Sequence, residues 1–200
     1  VSHTEVLPNG KLVITGGFSS IGGGSRNSIA MLNADGTMDP SLPELTPLRN
    51  GETASLSTAR IQKDGKLLIS GSFTSIGGVA RQEFARLNGD YTLDAFNPNA
   101  GGLSAYVKTI NFVGDGRIFA SGLFRTMGGA SRNRIARLTA AGLDDGFTSQ
   151  MTAFGICRDL AVNPDGAVLA GRDDDNRQLS FVRYLPNGSI DPDFTMLLGA

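Results

Sequence analysis

The sequence predicts an all-β chain, a β-propeller built from four repeats of about 50 residues, and three observations carry that reading. Nearly the same phrase occurs four times: Pro8-Asn9-Gly10-Lys11, Lys63-Asp64-Gly65-Lys66, Gly114-Asp115-Gly116-Arg117 and Pro164-Asp165-Gly166-Ala167, each ahead of a short apolar run. The intervals between these glycines are 55, 51 and 50 residues, the spacing of an array whose units bury their faces on one another. Each unit also carries two tight-turn signals, and its central run is apolar on both faces.

In the second repeat, Leu56 to Gln62 reads as a first strand ending at the Asp64-Gly65 turn. Leu67 to Phe73 is the second strand, Thr74 to Ala80 a loop, and Phe84 to Asn88 the third strand. A weaker fourth segment runs from Leu93 to Phe96. Asn-Gly and Asp-Gly suit type I′ hairpin turns, and the same punctuation returns at Asp35-Gly36 and Asn187-Gly188, so each unit is expected to be a four-stranded antiparallel meander. Tyr91 stands where other repeats have Gly36, Gly142 and Gly188, and a rearrangement around Gly89 is expected there.

The second strands, Leu12-Val13-Ile14, Leu67-Leu68-Ile69, Ile118-Phe119-Ala120 and Val168-Leu169-Ala170, do not alternate. Both faces must therefore be covered, as in a blade between neighbours. A parallel β-helix has shorter coils and lacks two antiparallel turns per period, so the blade is preferred. The repeats fall at about 1–55, 56–106, 107–156 and 157–200, as a single array. The four units make either a closed four-bladed ring or part of a larger propeller, whose end faces would be covered by further repeats or by another copy of the chain. Val13 and Leu169 are expected on those end faces.

With 27 glycines but 40% hydrophobic residues, the chain is not disordered; its glycines sit at repeat-locked places. A net charge of −1 gives no reason to expect nucleic acid, and no apolar stretch suggests membrane insertion. Val1 aligns with Leu56 and the chain stops near a repeat boundary, which reads as a segment of a longer polypeptide or a processed chain.

The phrase common to the units is (D/N)-G-(K/R), two apolar residues, x-(S/T)-G-x-F-x-(S/T)-(I/M)-G-G, and then R-(N/Q)-x-(I/F)-A-x-L-N. Asp64 through Gly78 and Arg81 through Asn88 show it in full. It resembles the bacterial delta-60 tandem repeats, a β-propeller family. The fourth unit departs where Gly171-Arg172-Asp173-Asp174-Asp175-Asn176 replaces the Gly-Gly loop. The resemblance implies an exported bacterial or phage surface protein, and it brings no catalytic residues with it.

The lone histidine, His3, aligns with Thr58 and lacks the further ligands of a zinc site or the partners of a triad, so a structural role is expected. Cys157 aligns with Leu56 and Val107 and is expected as a buried core thiol. Asp39, Asp94, Asp145 and Asp191 recur at one repeat position, which favours fixing a turn over catalysis. Arg26, Arg81 and Arg132 follow the Gly-Gly loops, with Arg177 close to the equivalent place in the fourth unit; they either clamp groups of the adjoining blade or present a binding rim. Asp173, Asp174 and Asp175 are candidate calcium ligands, with a solvated acidic loop as the plainer reading.

Together these features point to a non-catalytic scaffold or adhesion module that meets a protein or a surface glycan. Two alternatives stand beside it. One is a metal-dependent lyase or lactonase with a channel site; the other is a structural subunit of a filament or virion. Simple alternation along the first strands offers the channel Ser2, Thr4, Ser57, Ala59, Lys108, Ile110 and Leu160, a poor metal cage.

Overall fold

A computed structural model describes residues 1–102, 104–151, 156–173 and 179–194, and these form strands and turns throughout. Four antiparallel sheets follow one another along the chain. The blades are His3–Val6, Leu12–Thr15 and Ile29–Leu32; Leu56–Ile61, Leu67–Gly71 and Phe84–Leu87; Tyr106–Phe112, Ile118–Leu123 and Ile135–Leu138; and Cys157–Val162, Val168–Asp173 and Leu179–Tyr184. In each, the second strand lies between the first and third.

The fourth strand shrinks to a single bridge: Leu32 to Met38, Leu87 to Leu93, Leu138 to Asp144 and Tyr184 to Ile190. The repeated aspartate explains why. Its backbone amide pairs once with the third strand (Asp94 to Arg86 carbonyl, 2.8 Å). Its carboxylate then takes the amide two residues on, Phe96 in the second blade at 2.7 Å, and turns the chain away. Ser41, Phe147 and Asp193 donate to Asp39, Asp145 and Asp191 in the same way.

The Asp-Gly turns are not of type I′. Only the glycine has positive φ, +81° at Gly65, and Gly65 N–H donates to the Gln62 carbonyl at 3.0 Å, which makes a three-residue loop closed by a left-handed glycine. Type I′ geometry occurs instead in the Gly-Gly loops. Gly22-Gly23, Gly77-Gly78 and Gly128-Gly129 have both φ values positive and close two-stranded ribbons. One ribbon, Ser75–Ile76 with Val79–Ala80, joins Pro47–Arg49 and Glu52–Thr53 in a small sheet. Tyr91 takes the glycine's conformation unrearranged, at φ 64°. Asp90 holds that turn by accepting from the Thr92 amide and hydroxyl, and the Tyr91 ring packs against the first core.

Each junction between blades has its own core. Leu67 and Ile69 point into the first, with Val13 and Met31. Leu68 points the other way into the second, with Phe84, Phe96 and Ile118. Phe119 enters the third with Phe147, Val168 and Tyr184. This is why the second strands do not alternate: both of their faces are interior. Val13 thus lies inside a junction rather than on an end face, whereas Leu169 is half-buried and Phe181 beside it is 38% exposed.

Arginines tie blade to blade. Arg86 donates to the Ala140 carbonyl of the third blade at 2.7 Å, and Arg137 donates to the Pro186 carbonyl of the fourth at 2.7 Å. Each also holds its own blade's aspartate, Asp94 at 2.9 Å and Asp145 at 2.6 Å.

Candidate functional site

The first strands of all four blades face one another around a cavity of about 300 Å³. Its walls are Ser2 and His3; Ser57, Thr58 and Arg60; Lys108 to Asn111; and Arg158 with Asp159. This differs from what alternation along the strands predicts. Ala59 and Leu160 pack into the cores, while Thr58, Arg60, Asn111 and Asp159 reach the channel.

A β-bulge in three of the four first strands is the cause. Leu56 pairs with Gly71 and Thr58 with Ser70, leaving Ser57 unpaired. Lys108 is skipped in the third blade and Arg158 in the fourth in the same manner. A bulge shifts the alternation by one and re-aims the side chain it carries. The repeated glycine of the second strand permits it, because the bulged backbone passes very close. A Cβ on Gly71 would lie 2.5 Å from the Ser55 carbonyl oxygen and 2.8 Å from Leu56 Cα. The fourth blade keeps its bulge with Arg172 at this place.

Electrostatically the channel is basic. Arg60, Lys108 and Arg158 face a single wall carboxylate, Asp159, in a chain whose net charge is −1. Arg60 is bridged to Glu5 at 3.6 Å, and Glu5 also accepts from the Ile61 amide at 2.9 Å. Thr109 is engaged with Ser121 at 2.8 Å, and Asn111 donates to the Leu160 carbonyl at 3.0 Å. His3 is half-buried; burial pushes its pKa below the ordinary value, nearby Arg60 adds to this, and Glu5 opposes it. Its Nδ1 is buried without a hydrogen-bond partner. The histidine that sequence reasoning set aside therefore stands in the wall of the channel. For Ser57 and Lys108 a signal was available in the Ser-Gly of the second strand, which lies opposite the bulge; His3 had none.

The other sequence candidates lie away from the channel. Arg132 grips Asp144 through two nitrogens at 2.7 and 2.5 Å. Arg81 donates to the carbonyls of Ala80 (2.8 Å) and Asp94 (3.0 Å), and Arg26 reaches Glu44 at 3.4 Å. These partners belong to each arginine's own repeat rather than to the adjoining blade. Asp173 closes the strand Val168–Asp173; Asp174, Asp175 and Arg177 lie outside the described residues. Among the described residues no three His, Cys, Asp or Glu side chains gather to hold a metal ion, and the three cations of the channel wall do not fit a divalent cation. No helix among them is long and apolar enough to cross a membrane.

A solved gluconolactonase from Xanthomonas campestris shares the fold, with a TM-score of 0.56 and 14% identity over 94% of this chain. The chain spans 59% of that protein's length. The likeness overturns the expectation that the chain is not an enzyme. Repetition and the lack of a recognisable motif had argued against catalysis, yet the same architecture carries it elsewhere. Comparison with curated proteins finds no match. A family model, described as a domain of unknown function (DUF5122) beta-propeller, matches residues 7–42, 62–96, 114–145 and 163–194. With one match in each blade and most of its length covered, the chain belongs to the DUF5122 β-propeller family.

Proposed function

We propose that the central channel is an active site for hydrolysis of cyclic esters of the lactone class, performed by the chain's own side chains. The observation that carries this reading is the convergence of His3, Lys108, Arg60 and Arg158 from four different blades on one cavity. The fold shared with a gluconolactonase supports the reaction class.

Lactone hydrolysis adds water to the acyl carbon and breaks the ring C–O bond. It needs an acceptor for the water proton and positive donors for the oxyanion. His3, held neutral by its burial, is the acceptor, and as imidazolium it returns the proton to the departing alkoxide. Lys108, Arg158 and Arg60 supply the positive field where the oxyanion forms. No step passes through a metal. The repeated phrase further supports an exported bacterial or phage protein of the delta-60 kind.

A panel of aldonolactones followed in a pH-stat tests the reaction. Turnover above the buffer rate is expected, unaffected by a chelator, and His3→Gln should lower kcat by about 10²–10⁴-fold with the fold intact. Absence of turnover on every lactone, or full activity in His3→Gln, would overturn the proposal.

A further inference from the structure

We propose that the bulged residues Lys108 and Arg158 form an anion subsite in the channel, and that the ligand it takes is a polyhydroxylated carboxylic acid. This deepens the channel reading above and rests on it for the location of the substrate.

The bulges are the first ground. In a regular strand one side chain in two faces the channel; here an extra residue is inserted at the same place in three blades, and two of the three inserted side chains are cationic. The second ground is pairing. The cations that follow the Asn-Gly and Asp-Gly turns are all neutralised: Lys11 by Asp39, Lys66 by Asp94 at 2.9 Å, and Arg117 by Asp115 and Asp145. Arg60 has Glu5. Lys108 is exposed to the channel and has no ion-pair partner among the described residues. Asp159, the one carboxylate of the wall, accepts from the Leu160 amide at 2.8 Å and makes no ion pair with Lys108. A lysine inserted by a bulge and left without a carboxylate is a group awaiting an anion.

The remaining wall sets the rest of the ligand. Ser2 and Ser57 offer hydroxyls, Asn111 keeps its side-chain oxygen as an acceptor, and no Phe, Tyr or Trp lines the cavity. Recognition is therefore through hydroxyl hydrogen bonds and one negative charge, without ring stacking. A volume of about 300 Å³ suits a small molecule. Hydrolysis of a lactone also generates a carboxylate, so the subsite would retain the product as well.

Isothermal titration with D-gluconate and with sorbitol, which replaces the carboxylate by a hydroxymethyl group, isolates the charge. Gluconate is expected to bind at least about 10-fold more tightly than sorbitol and to weaken as salt is raised. Lys108→Ala should lose about 10-fold or more of that affinity while Lys108→Arg retains it, with thermal unfolding unchanged in both. Equal binding of the two probes, no binding of gluconate, or wild-type gluconate affinity in Lys108→Ala would overturn the subsite. Because no turnover is needed, gluconate binding without lactone hydrolysis would remove the proposed reaction and leave the subsite standing. Hydrolysis without gluconate binding would do the reverse.

Discussion

Gly122 lies directly beneath Lys108: a Cβ added to Gly122 would sit 2.9 Å from the Lys108 amide nitrogen and 3.1 Å from Val107 Cα. In this blade the missing side chain on the second strand leaves room for the bulged backbone, and the bulge is what sends Lys108 to the channel. Gly122→Ala should therefore cost about 2–3 kcal/mol, because the obstruction is backbone and cannot rotate away. Gly78→Ala is the control. Its Cβ meets nothing within 4 Å, so only the left-handed φ of 76° is penalised, at about 1 kcal/mol. Urea unfolding of the two variants checks the difference, and gluconate titration of Gly122→Ala should show weakened binding.

Arg137 joins two blades with one planar group. Its Nε holds Asp145 at 2.6 Å, its Nη1 reaches the Pro186 carbonyl at 2.7 Å, and its guanidinium lies 5.0 Å over the Phe147 ring. Arg137→Lys keeps the charge but cannot make both contacts, so it should lose most of what Arg137→Ala loses, about 2–4 kcal/mol. Equal stability of the lysine variant and wild type in urea would show that charge, not geometry, matters there.

Stability should fall as pH rises from about 4.5 to about 7, through Glu83. Burial raises this carboxyl to about 7 although Arg49 beside it pulls the other way. The folded chain therefore keeps a proton across a window in which the unfolded chain releases it, and the stabilisation this gives is gone above pH 7. Glu83→Gln should flatten that limb of the urea-midpoint profile. The acid limb runs oppositely. Hydrogen bonds from Lys11 and Ser41 hold Asp39 at about 2, and those from Lys66, Phe96 and Arg86 outweigh burial to hold Asp94 at about 2. Their contribution is complete above the ordinary carboxylate range and is lost as pH falls from about 4 towards 2.

Cys157 is fully buried, and its thiol is pushed up to about 12, chiefly by burial. Iodoacetamide at pH 8 should leave it unmodified in the native state and label it fully in 6 M guanidinium, as mass spectrometry would show. Rapid native labelling would mean that the third core opens readily.

The architecture was legible in the residues alone. Gly65 with Asp64 specifies a turn from local bonding alone, and Leu67-Leu68-Ile69 can satisfy three consecutive apolar residues only between two neighbouring sheets. The recurring Asp94 was legible as a turn residue because its contact with the Phe96 amide spans two positions. Tertiary structure decided the type of each turn, the shortening of the fourth strand and, above all, the walls of the channel. Ser57, Lys108 and Arg158 reach it through a one-residue slip in pairing, and alternation along a single strand carries no record of such a slip. It arises only when the first strand is laid against the second. His3 became a candidate for a different reason: its companions Lys108 and Arg158 come from blades more than a hundred residues away, and packing of the four sheets alone brings them to one cavity.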